Sequence, residues 1–558
     1  MKKIKYIIGV ALATMLIACS SDYEHYISGV EVPETPTEIY FTADELLVLM
    51  QMRNPDNRIC IDEATEIALD AISFFNGTTT RSGQARTIVG ITALQSEPGT
   101  RMAMATRSTN GSDVEIQIPD TVAFVFNFAD DSGFTIVAAD TRITSPVLAF
   151  VDDGNLDLSK EVDHPGLAIF FEGLEEYIEY SIMVAEKKRD SLMAGILERL
   201  SKDTEAGTRW AWCCCDGGPS DRLCFCIFEC QCPRILRETQ IIRRPGPWTT
   251  GGRMGPFLPV EWGQGFPFNR LMYPTFVHAP RCPITQENPT GRGVVGCTGV
   301  AIAMILTYWG HPSRFVCDFA NMLDPNWNLL DSFTARPNAW IGAGHLQVPT
   351  SRFGFHSEEE KEFIHEVGLL MRHVTNLTRH SIIRCHVWDS PDPREFNNAI
   401  DALRGMRYSF DNKRGYNTQA VINSLNNHHP VLIRGARNRS TTWLLPNRYS
   451  NWYTWVIDGL LRRNRQTEIT VITRTTTIYN QTTHRVEYDI WTQVIAEQPI
   501  FLHNNWGLDG SNNGWFVEGV FDTSRRVFNS SSFEEECSAY GINHNFQFST
   551  EIVTNIRR

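Results

Sequence analysis

One cysteine stands at the head of a long apolar segment and is the first candidate for chemistry. Cys297 follows Gly296, and residues 298–309 are nearly all apolar or small, ending at Gly310 and Pro312. Such a run predicts a buried helix that begins at Cys297. At a helix N-terminus, unpaired backbone N–H groups and the helix dipole favour the thiolate, which is the nucleophilic form of cysteine. Cys297 is therefore either a nucleophile or a buried structural cysteine.

Two further motifs could complete a cysteine-dependent active site. Such a nucleophile needs a base, a group that orients the base, and donors for the oxyanion. Gln264 lies in a Trp-Gly-Gln loop before the helix, and its amide together with the Cys297 backbone N–H would form an oxyanion hole. Asn505 and Trp506 follow an apolar strand, where the amide could orient an imidazole and the indole could exclude water. Each motif alone is also compatible with an ordinary loop or strand end.

The residues before position 203 form a first unit without a grouping of polar residues that suggests chemistry. Asp62 can cap a helix whose apolar positions recur at helical spacing as far as Phe75. The polar stretch 81–112 predicts a mobile loop, and a long amphipathic helix is predicted at about 165–200. The predicted strands are 122–128, 134–138 and 147–151, with a hairpin turn between the first two. This unit is therefore predicted to be α+β.

The second unit begins near Phe257 and continues to the end of the chain. It opens with loops and the Cys297 helix, followed by a helix over 357–374 that starts with a capping box and a third helix over 417–427. The predicted strands are 431–434, 455–458, 468–477, 487–495, 500–504 and 515–520. Helices followed by strands predict an antiparallel sheet against the central helix.

A stretch rich in Gly, Pro, Arg and Cys at 203–256 separates the two units. This composition predicts an exposed linker that proteases can cut. Half of the chain's 14 cysteines crowd into residues 213–232. Their spacing lacks paired C-x-x-C elements and a nearby His, which favours a disulfide knot over a zinc site.

The first residues have the composition of an export signal. Lysines precede a short apolar segment at 6–17, which is too short for a comfortable membrane span. The segment ends in Leu-Ile-Ala-Cys at Cys19, which resembles a bacterial lipobox and implies lipid attachment to Cys19. Because Ser and not Asp follows directly, the sequence predicts anchoring at the outer membrane or cell surface. The alternative is an ordinary signal peptide.

Charge narrows the range of partners. The 558 residues carry a formal net charge of −13, which argues against nucleic acid as a partner. No basic cluster is long enough to change this, no motif indicates a cofactor, and no other segment is apolar enough to span a membrane.

Several sequence blocks in order resemble the streptopain family of cysteine peptidases, which have a papain-like fold. The blocks lie over about 260–522, and they are Glu261-Trp262-Gly263-Gln264, Pro267-Phe268-Asn269, Gly296-Cys297, Tyr308-Trp309-Gly310-His311-Pro312, His429-Pro430-Val431-Leu432-Ile433-Arg434-Gly435, Trp455-Val456-Ile457-Asp458-Gly459, Leu502-His503-Asn504-Asn505-Trp506-Gly507 and Asn513-Gly514-Trp515-Phe516. Residues 133–140 are similar to the family's inhibitory propeptide.

The resemblance implies an α+β fold, in which a papain-like domain with a central nucleophile helix against an antiparallel sheet follows an α+β propeptide domain. The expected organisation is a lipoprotein signal peptide at 1–18, a tether at 19–40, a propeptide domain at 41–202, a linker at 203–256 and a peptidase domain at 257–558. The implied partners are a polypeptide substrate or peptide ligand, the chain's own propeptide in the cleft, and a membrane through the lipid on Cys19.

The resemblance also implies a role for each candidate site residue. Cys297 matches the nucleophile, Gln264 the oxyanion donor, and Asn505 and Trp506 the pair beside the catalytic histidine. The family's histidine block reads Trp-Tyr-Thr-Trp-Val-Ile-Asp-Gly in this chain, which places Tyr453 at the position of the base. With an ordinary pKa of about 10, a tyrosine is a poor base at neutral pH.

Other side chains are weak substitutes for the missing imidazole. His503 precedes Asn505 by two residues, His428 and His429 are expected at the start of a strand away from the site, and Asp458 is a carboxylate without an imidazole. The chain departs from the family pattern elsewhere too, at Leu508, which replaces an aromatic residue, in the long stretch 436–452, and at 376–393.

Three functions follow from these observations. The first is a secreted, lipid-anchored cysteine endopeptidase made as a zymogen, with Cys297 as nucleophile. The alternative is a catalytically impaired pseudopeptidase that binds peptides or a surface partner, because Tyr453 replaces the histidine. The third is a structural or adhesive surface lipoprotein whose working part is the cysteine-rich segment.

Overall fold

The structure is a computed structural model, and it describes a defined part of the chain. The described residues are 4–6, 41–51, 57–79, 86–95, 104–107, 113–116, 121–158, 162, 164–202, 234–272, 282, 291–315, 324–332, 358–378, 385, 393–442, 445–479, 482–522 and 549–558. The predicted lipidation site at Cys19, the tether and the cysteine cluster at 213–232 lie outside the described residues.

The described part of the chain contains these elements. The helices are α1 (Ala43–Gln51), α2 (Ile61–Thr79), α3 (Pro165–Lys202), α4 (Cys297–Trp309), α5 (Trp327–Ser332), α6 (Glu358–Leu377), α7 (Pro393–Gly405) and α8 (Thr418–Asn426). The strands are β1 (Ile4–Tyr6), β2 (Ile88–Gln95), β3 (Met104–Arg107), β4 (Asp113–Ile116), β5 (Thr121–Phe128), β6 (Phe134–Ala138), β7 (Val147–Val151), β8 (Arg234–Pro245), β9 (Thr249–Met254), β10 (Arg414–Gly415), β11 (Val431–Thr442), β12 (Leu445–Tyr479), β13 (Thr482–Glu497), β14 (Ile500–Asn505), β15 (Gly514–Val517) and β16 (Ser549–Val553).

One sheet runs through both units. Its central order is β10-β16-β11-β12-β14-β15-β7-β6-β5-β2, and β8, β9 and β13 pair with β12. The two units meet where β15 pairs antiparallel with β7, in the register Trp515 to Phe150. The prediction of an α+β fold with an antiparallel sheet is confirmed.

Helix α4 is buried because its sequence offers no polar face. Every residue from Cys297 to Thr307 is buried. Gly296 leads into the helix at a φ of 84°, and Gly310 ends it in the left-handed conformation, with its N–H bonded to the carbonyls of Leu306 and Thr307. The helix begins at Cys297, where its sequence predicts.

Two apolar clusters flank the sheet. One surrounds α4, α6 and α7 and contains residues such as Met304, Val367 and Leu403. The other is shared between the units, because side chains of α2 and α3 pack on the opposite face of the second unit's strands. For example, the ring of Phe170 lies 4.8 Å from that of Phe516.

Two stretches differ from the predictions. Residues 81–112 were predicted as a loop, yet their described part contains β2, which pairs with β5, and β3, which pairs with β4. Strand β2 contains Ile88, Val89, Ile91 and Leu94, which favour a strand, so the polar average over 81–112 hid a short apolar stretch. The described part of the predicted linker is also strand, because residues 234–245 and 249–254 pair with β12.

Strand β12 continues far past the central sheet. From Arg465 it pairs with β13 on one side, ending at the pair Tyr479 and Thr482, and with β8 on the other. We call the three-stranded projection formed by 234–245, 465–479 and 482–497 the arm. Outside the arm, a disulfide joins Cys282, before α4, to Cys385, after α6.

Candidate active site

The Cys297 thiol lies between the N-terminus of α4 and the sheet. Its side chain is buried, and its Sγ accepts a hydrogen bond from the backbone N–H of Thr454 at 3.4 Å. The hydroxyl of Thr298 donates to that of Thr454 at 3.0 Å and ties the first turn of the helix to β12. A backbone donor and a helix N-terminus both favour negative charge on the sulfur.

The position expected for the base is held by a tyrosine that faces the oxyanion donor. Gln264 Nε2 donates to the Tyr453 hydroxyl at 3.3 Å, and that hydroxyl donates to the carbonyl of Trp506 at 2.7 Å. The Gln264 carbonyl accepts from the N–H of Val295, which holds the glutamine loop beside the start of α4. Gln264, Tyr453 and Trp506 therefore meet in one hydrogen-bonded chain.

The surroundings of Tyr453 keep its hydroxyl protonated. Burial raises its pKa well above 10, the negative charges of Cys297 and Asp509 raise the pKa further, and the Gln264 bond opposes them. The phenol is therefore a hydrogen-bond donor at neutral pH and has no capacity to take a proton from the thiol.

Asn505 holds backbone groups together in this structure. Its Nδ2 donates to the carbonyl of Val260 at 2.9 Å, and its Oδ1 accepts from the N–H of Gly507 at 3.2 Å. These bonds hold the end of β14 against the chain segment that leads to Gln264. The amide thus positions the loops around the site, and the orientation of an imidazole by Asn505 stays a prediction.

Trp506 closes one side of the site. Its backbone N–H is held by Asn513 Oδ1 at 2.9 Å, and its indole N–H donates to the carbonyl of Asn512 at 2.8 Å. The indole lies 5.2 Å from the ring of Trp455. The role of Trp506 in shielding the site from water stays a prediction.

The other candidate bases are engaged elsewhere. His503 Nδ1 bonds to the Asp458 carboxylate at 2.6 Å, and its ring lies edge-on to Trp515. The second oxygen of Asp458 accepts from the N–H of Leu258. His429 lies beside Trp309, at the start of β11. Asp458 and His503 therefore form a pair of their own.

Sequence reasoning missed a carboxyl group beside Gln264, the predicted oxyanion donor. Asp509 packs on the backbone of Gly263, where an added Cβ would lie 2.2 Å from its Oδ2, and its buried Oδ1 has no hydrogen-bond partner among the described residues. Burial raises its pKa from 3.8 to about 7. Asp509 has a φ of 57°, in the left-handed region that favours glycine. The one signal in the sequence was a carboxyl group directly after Leu508, where the chain departs from the family pattern.

The first turn of α3 covers the site from the N-terminal unit. Gly166 lies on the face of Trp506, where a Cβ would come within 2.2 Å of the indole. His164 Nδ1 accepts from the N–H of Leu167, and its Nε2 lies 3.1 Å from the carbonyl of Ser511. Ile169 contacts Gly435, the strand partner of Tyr453.

The described residues offer neither a cluster of metal ligands nor a membrane-spanning helix. They contain no group of three or more His, Cys, Asp or Glu side chains that could hold a metal ion. Within the same residues, no helix has the length and apolar character to cross a membrane.

Two family models match parts of this chain. Residues 262–516 match the family described as Peptidase C10, and residues 57–178 match the family described as Spi protease inhibitor. A solved fragment of Prevotella intermedia prointerpain A is 13% identical, with a TM-score of 0.36, over 79% of this chain and 98% of that one. No curated protein matches. The chain therefore carries a streptopain-family cysteine peptidase domain of papain-like fold behind a propeptide inhibitor domain.

Proposed function

We propose that this protein is an exported, lipid-anchored member of the streptopain family whose cleft binds polypeptide under the control of its propeptide, with hydrolysis suppressed. The observation that carries the proposal is the Tyr453 hydroxyl, bonded to both Gln264 Nε2 and the Trp506 carbonyl. A side chain that must act as base is replaced by a donor that also engages the oxyanion amide.

The chemical consequence concerns two steps of acyl transfer. The Tyr453 hydroxyl, at the position predicted for the imidazole, does not take the thiol proton and so has none to return to the leaving amine. Loss of the base from such a constellation costs about 10⁴–10⁶ in rate. When ionised, the Asp509 carboxylate next to the glutamine loop further opposes an oxyanion.

The proposed ligand class is supported by what already occupies the cleft. The segment 164–169 lies over Trp506 and against Gly435, so a polypeptide of this same chain covers the site. We expect an extended or helical segment of another protein to take this place once the linker is cut and the propeptide leaves.

The cellular location belongs to the same proposal. The lipobox-like segment ending at Cys19 supports export and lipid attachment, and the tether at 19–40 would hold the domain at an outer membrane or cell surface. Metabolic labelling with a fatty acid tests this, because a Cys19→Ser variant must lose the label.

A second candidate function is a cysteine endopeptidase released from a zymogen. The thiol at the N-terminus of α4, with the Thr454 N–H directed at its sulfur, favours it. In this case another group must enter the site after the propeptide leaves.

One experiment separates the two candidates. A protease site inserted after Gly207 allows the linker to be cut, the peptidase fragment is separated from the propeptide, and casein cleavage by that fragment is measured for the wild type and for Cys297→Ala, Tyr453→His and Tyr453→Phe. We expect the wild type to match Cys297→Ala and Tyr453→His to gain activity by at least about 100-fold. Tyr453→Phe frees the Gln264 amide without supplying a base, so it must stay inactive.

The contrary result is equally definite. If the wild type cleaves casein, Cys297→Ala abolishes the cleavage, and a thiol-directed peptide epoxide labels Cys297, then the protein is an endopeptidase and the suppressed function is wrong.

A further inference from the structure

The inner face of the arm is apolar and lies beneath the beginning of the propeptide. On β13 the side chains alternate, so that Trp491 is buried while Val494 is 52% exposed on the opposite face. Trp491 joins Ile469 and Val471 of β12 in a cluster with Phe41 and the apolar residues of α1. This cluster is separate from the ones that surround the active site.

The contact at Phe41 is specific as well as apolar. The ring of Phe41 stacks on Trp491 at a centroid distance of 4.2 Å. The Phe41 N–H donates to Gln493 Oε1 at 3.1 Å, and Gln493 Nε2 donates to the Phe41 carbonyl at 2.9 Å. One side-chain amide therefore satisfies both polar groups of one residue's backbone, as a neighbouring strand would.

The docked segment is a preformed element. Thr42 and Glu45 form a capping box, in which the Thr42 N–H donates to the glutamate and the Glu45 N–H to the threonine hydroxyl. Asp44 accepts from Lys188 at 2.7 Å, which ties α1 to α3. Such a helix loses little conformational entropy when it binds.

The arm is braced to receive this helix. The Glu497 carboxylate at its base bonds to Arg465 at 2.6 Å and to Arg243 at 3.1 Å. Burial alone would raise the pKa of Glu497, but these two arginines lower it. The strands that form the arm are thus held in register by a buried ion cluster where the arm leaves the central sheet.

The docking contact lies outside the inhibitor domain. That domain matches residues 57–178, whereas the segment on the arm is 41–51, joined by Ile196 near the end of α3. The arm therefore binds parts of the propeptide that take no part in covering Cys297.

We propose that the arm is a second docking site, which binds segment 41–51 and keeps the propeptide on the peptidase domain after the linker is cut. The inference rests on the proposed propeptide control of this domain. Cutting within the linker removes the covalent link between the units, and the arm then supplies part of the affinity that remains. The segment that covers Cys297 can therefore leave the cleft while the propeptide is still bound to the arm.

The test measures binding and needs no hydrolysis. A Cys19→Ser protein is cut at a protease site inserted after Gly207, and the dissociation constant of the two fragments is determined by size-exclusion chromatography over a dilution series. We expect Phe41→Ala and Trp491→Ala each to raise the dissociation constant at least about tenfold. The double variant should raise it by less than the product of the two single effects, because both changes remove the same contact. Val494→Ala, on the outer face of the same strand, is the matched control.

Two results would overturn the inference. One is equal dissociation constants for Phe41→Ala, Trp491→Ala and Val494→Ala. The other is additive effects of Phe41→Ala and Trp491→Ala, which would mean that the two rings do not act together. Phe41 lies outside the inhibitor domain, so its replacement leaves the folding of that domain intact. The dissociation constants are measured without any hydrolysis, so they stay readable whether or not Tyr453→His cleaves casein, and failure of the arm proposal is distinguishable from failure of the proposed function.

Discussion

At the scale of single residues, the site shows how one side chain changes the chemistry that its neighbours can support. Cys297 and Gln264 occupy the positions predicted for the nucleophile and the oxyanion donor, but Tyr453 is a proton donor at the position predicted for an imidazole. Asp509 adds a carboxyl group with no partner among the described residues, at a backbone angle that suits glycine. Burial favours the neutral forms of both Tyr453 and Asp509.

Asp509 carries a prediction about stability. Its pKa is raised from 3.8 to about 7, so the folded protein prefers the protonated carboxyl, and stability is lost as the pH rises from about 4 to about 7. Above pH 7 the ionised carboxylate costs about 2–4 kcal/mol. Asp509→Asn should therefore raise the melting temperature by several degrees at pH 8 and by much less at pH 5.

The control for this prediction is an exposed aspartate. Asp401 on α7 is 72% exposed at its side chain, and Asp401→Asn should change the melting temperature little at either pH. Asp509→Gly should raise the melting temperature at both pH values, because glycine adopts the positive φ without strain. A melting temperature for Asp509→Asn that is equal to the wild type at pH 8 would contradict the assignment.

At the scale of elements, the start of α3 is the part of the propeptide that closes the site. The helix approaches Trp506 closely because residue 166 has no Cβ. His164 fixes the direction of the helix, since its ring accepts from the N–H of Leu167 and reaches the Ser511 carbonyl. Gly166 and the capping side chain of His164 thus determine the position and direction of α3 over the site.

A methyl group at residue 166 should loosen this contact. Gly166→Ala places a Cβ within 2.2 Å of the indole, so the helix or Trp506 must move. We expect labelling of Cys297 by iodoacetamide in the uncut protein to accelerate at least about fivefold. Gly90→Ala in the same unit meets a neighbour at an ordinary 3.9 Å and should leave the labelling rate unchanged. Equal rates for the two variants would refute the prediction.

The elements also show how far sequence reasoning reaches. Helix α4 was predictable because its residues are apolar on all sides and glycines bound it. The arm was not, because the alternation in 468–477 and 487–495 predicts strands without naming their partners. Strand β8 was hidden by Arg243 and Pro245, which resemble linker residues but pair along β12. The Asn505 amide was expected to face an imidazole, and its bonds to Val260 and Gly507 depend on contacts that no local pattern specifies.

At the scale of the whole molecule, the described residues attach the propeptide at several places, among them the sheet, the site and the arm. The sheet contact pairs β7 with β15, the site contact centres on Trp506, and the arm holds Phe41. An ion pair between Asp70 and the buried Arg463 adds to these contacts. Release therefore requires several interfaces to open together.

Acid should favour this release. Burial lowers the pKa of His164 from 6.5 to about 4, so the histidine binds a proton more tightly after release than in the closed protein. As the pH falls from about 6.5 towards about 4, the dissociation constant of the cut fragments should rise by up to about tenfold per pH unit. His164→Asn retains a capping oxygen without titrating, and its pH dependence should be weaker. If the dissociation constants of the wild type and of His164→Asn change equally with pH, the prediction is wrong.

Removal of the propeptide also changes the sheet itself. While the units are joined, β7 satisfies the outer N–H and C=O groups of β15 through the pairs at Gly514, Trp515 and Phe516. Once β7 leaves, β15 becomes an edge strand whose backbone groups can template another extended chain. The freed domain would thus present a short site for β-strand addition beside Trp506, where a bound polypeptide could continue the sheet that the propeptide had completed.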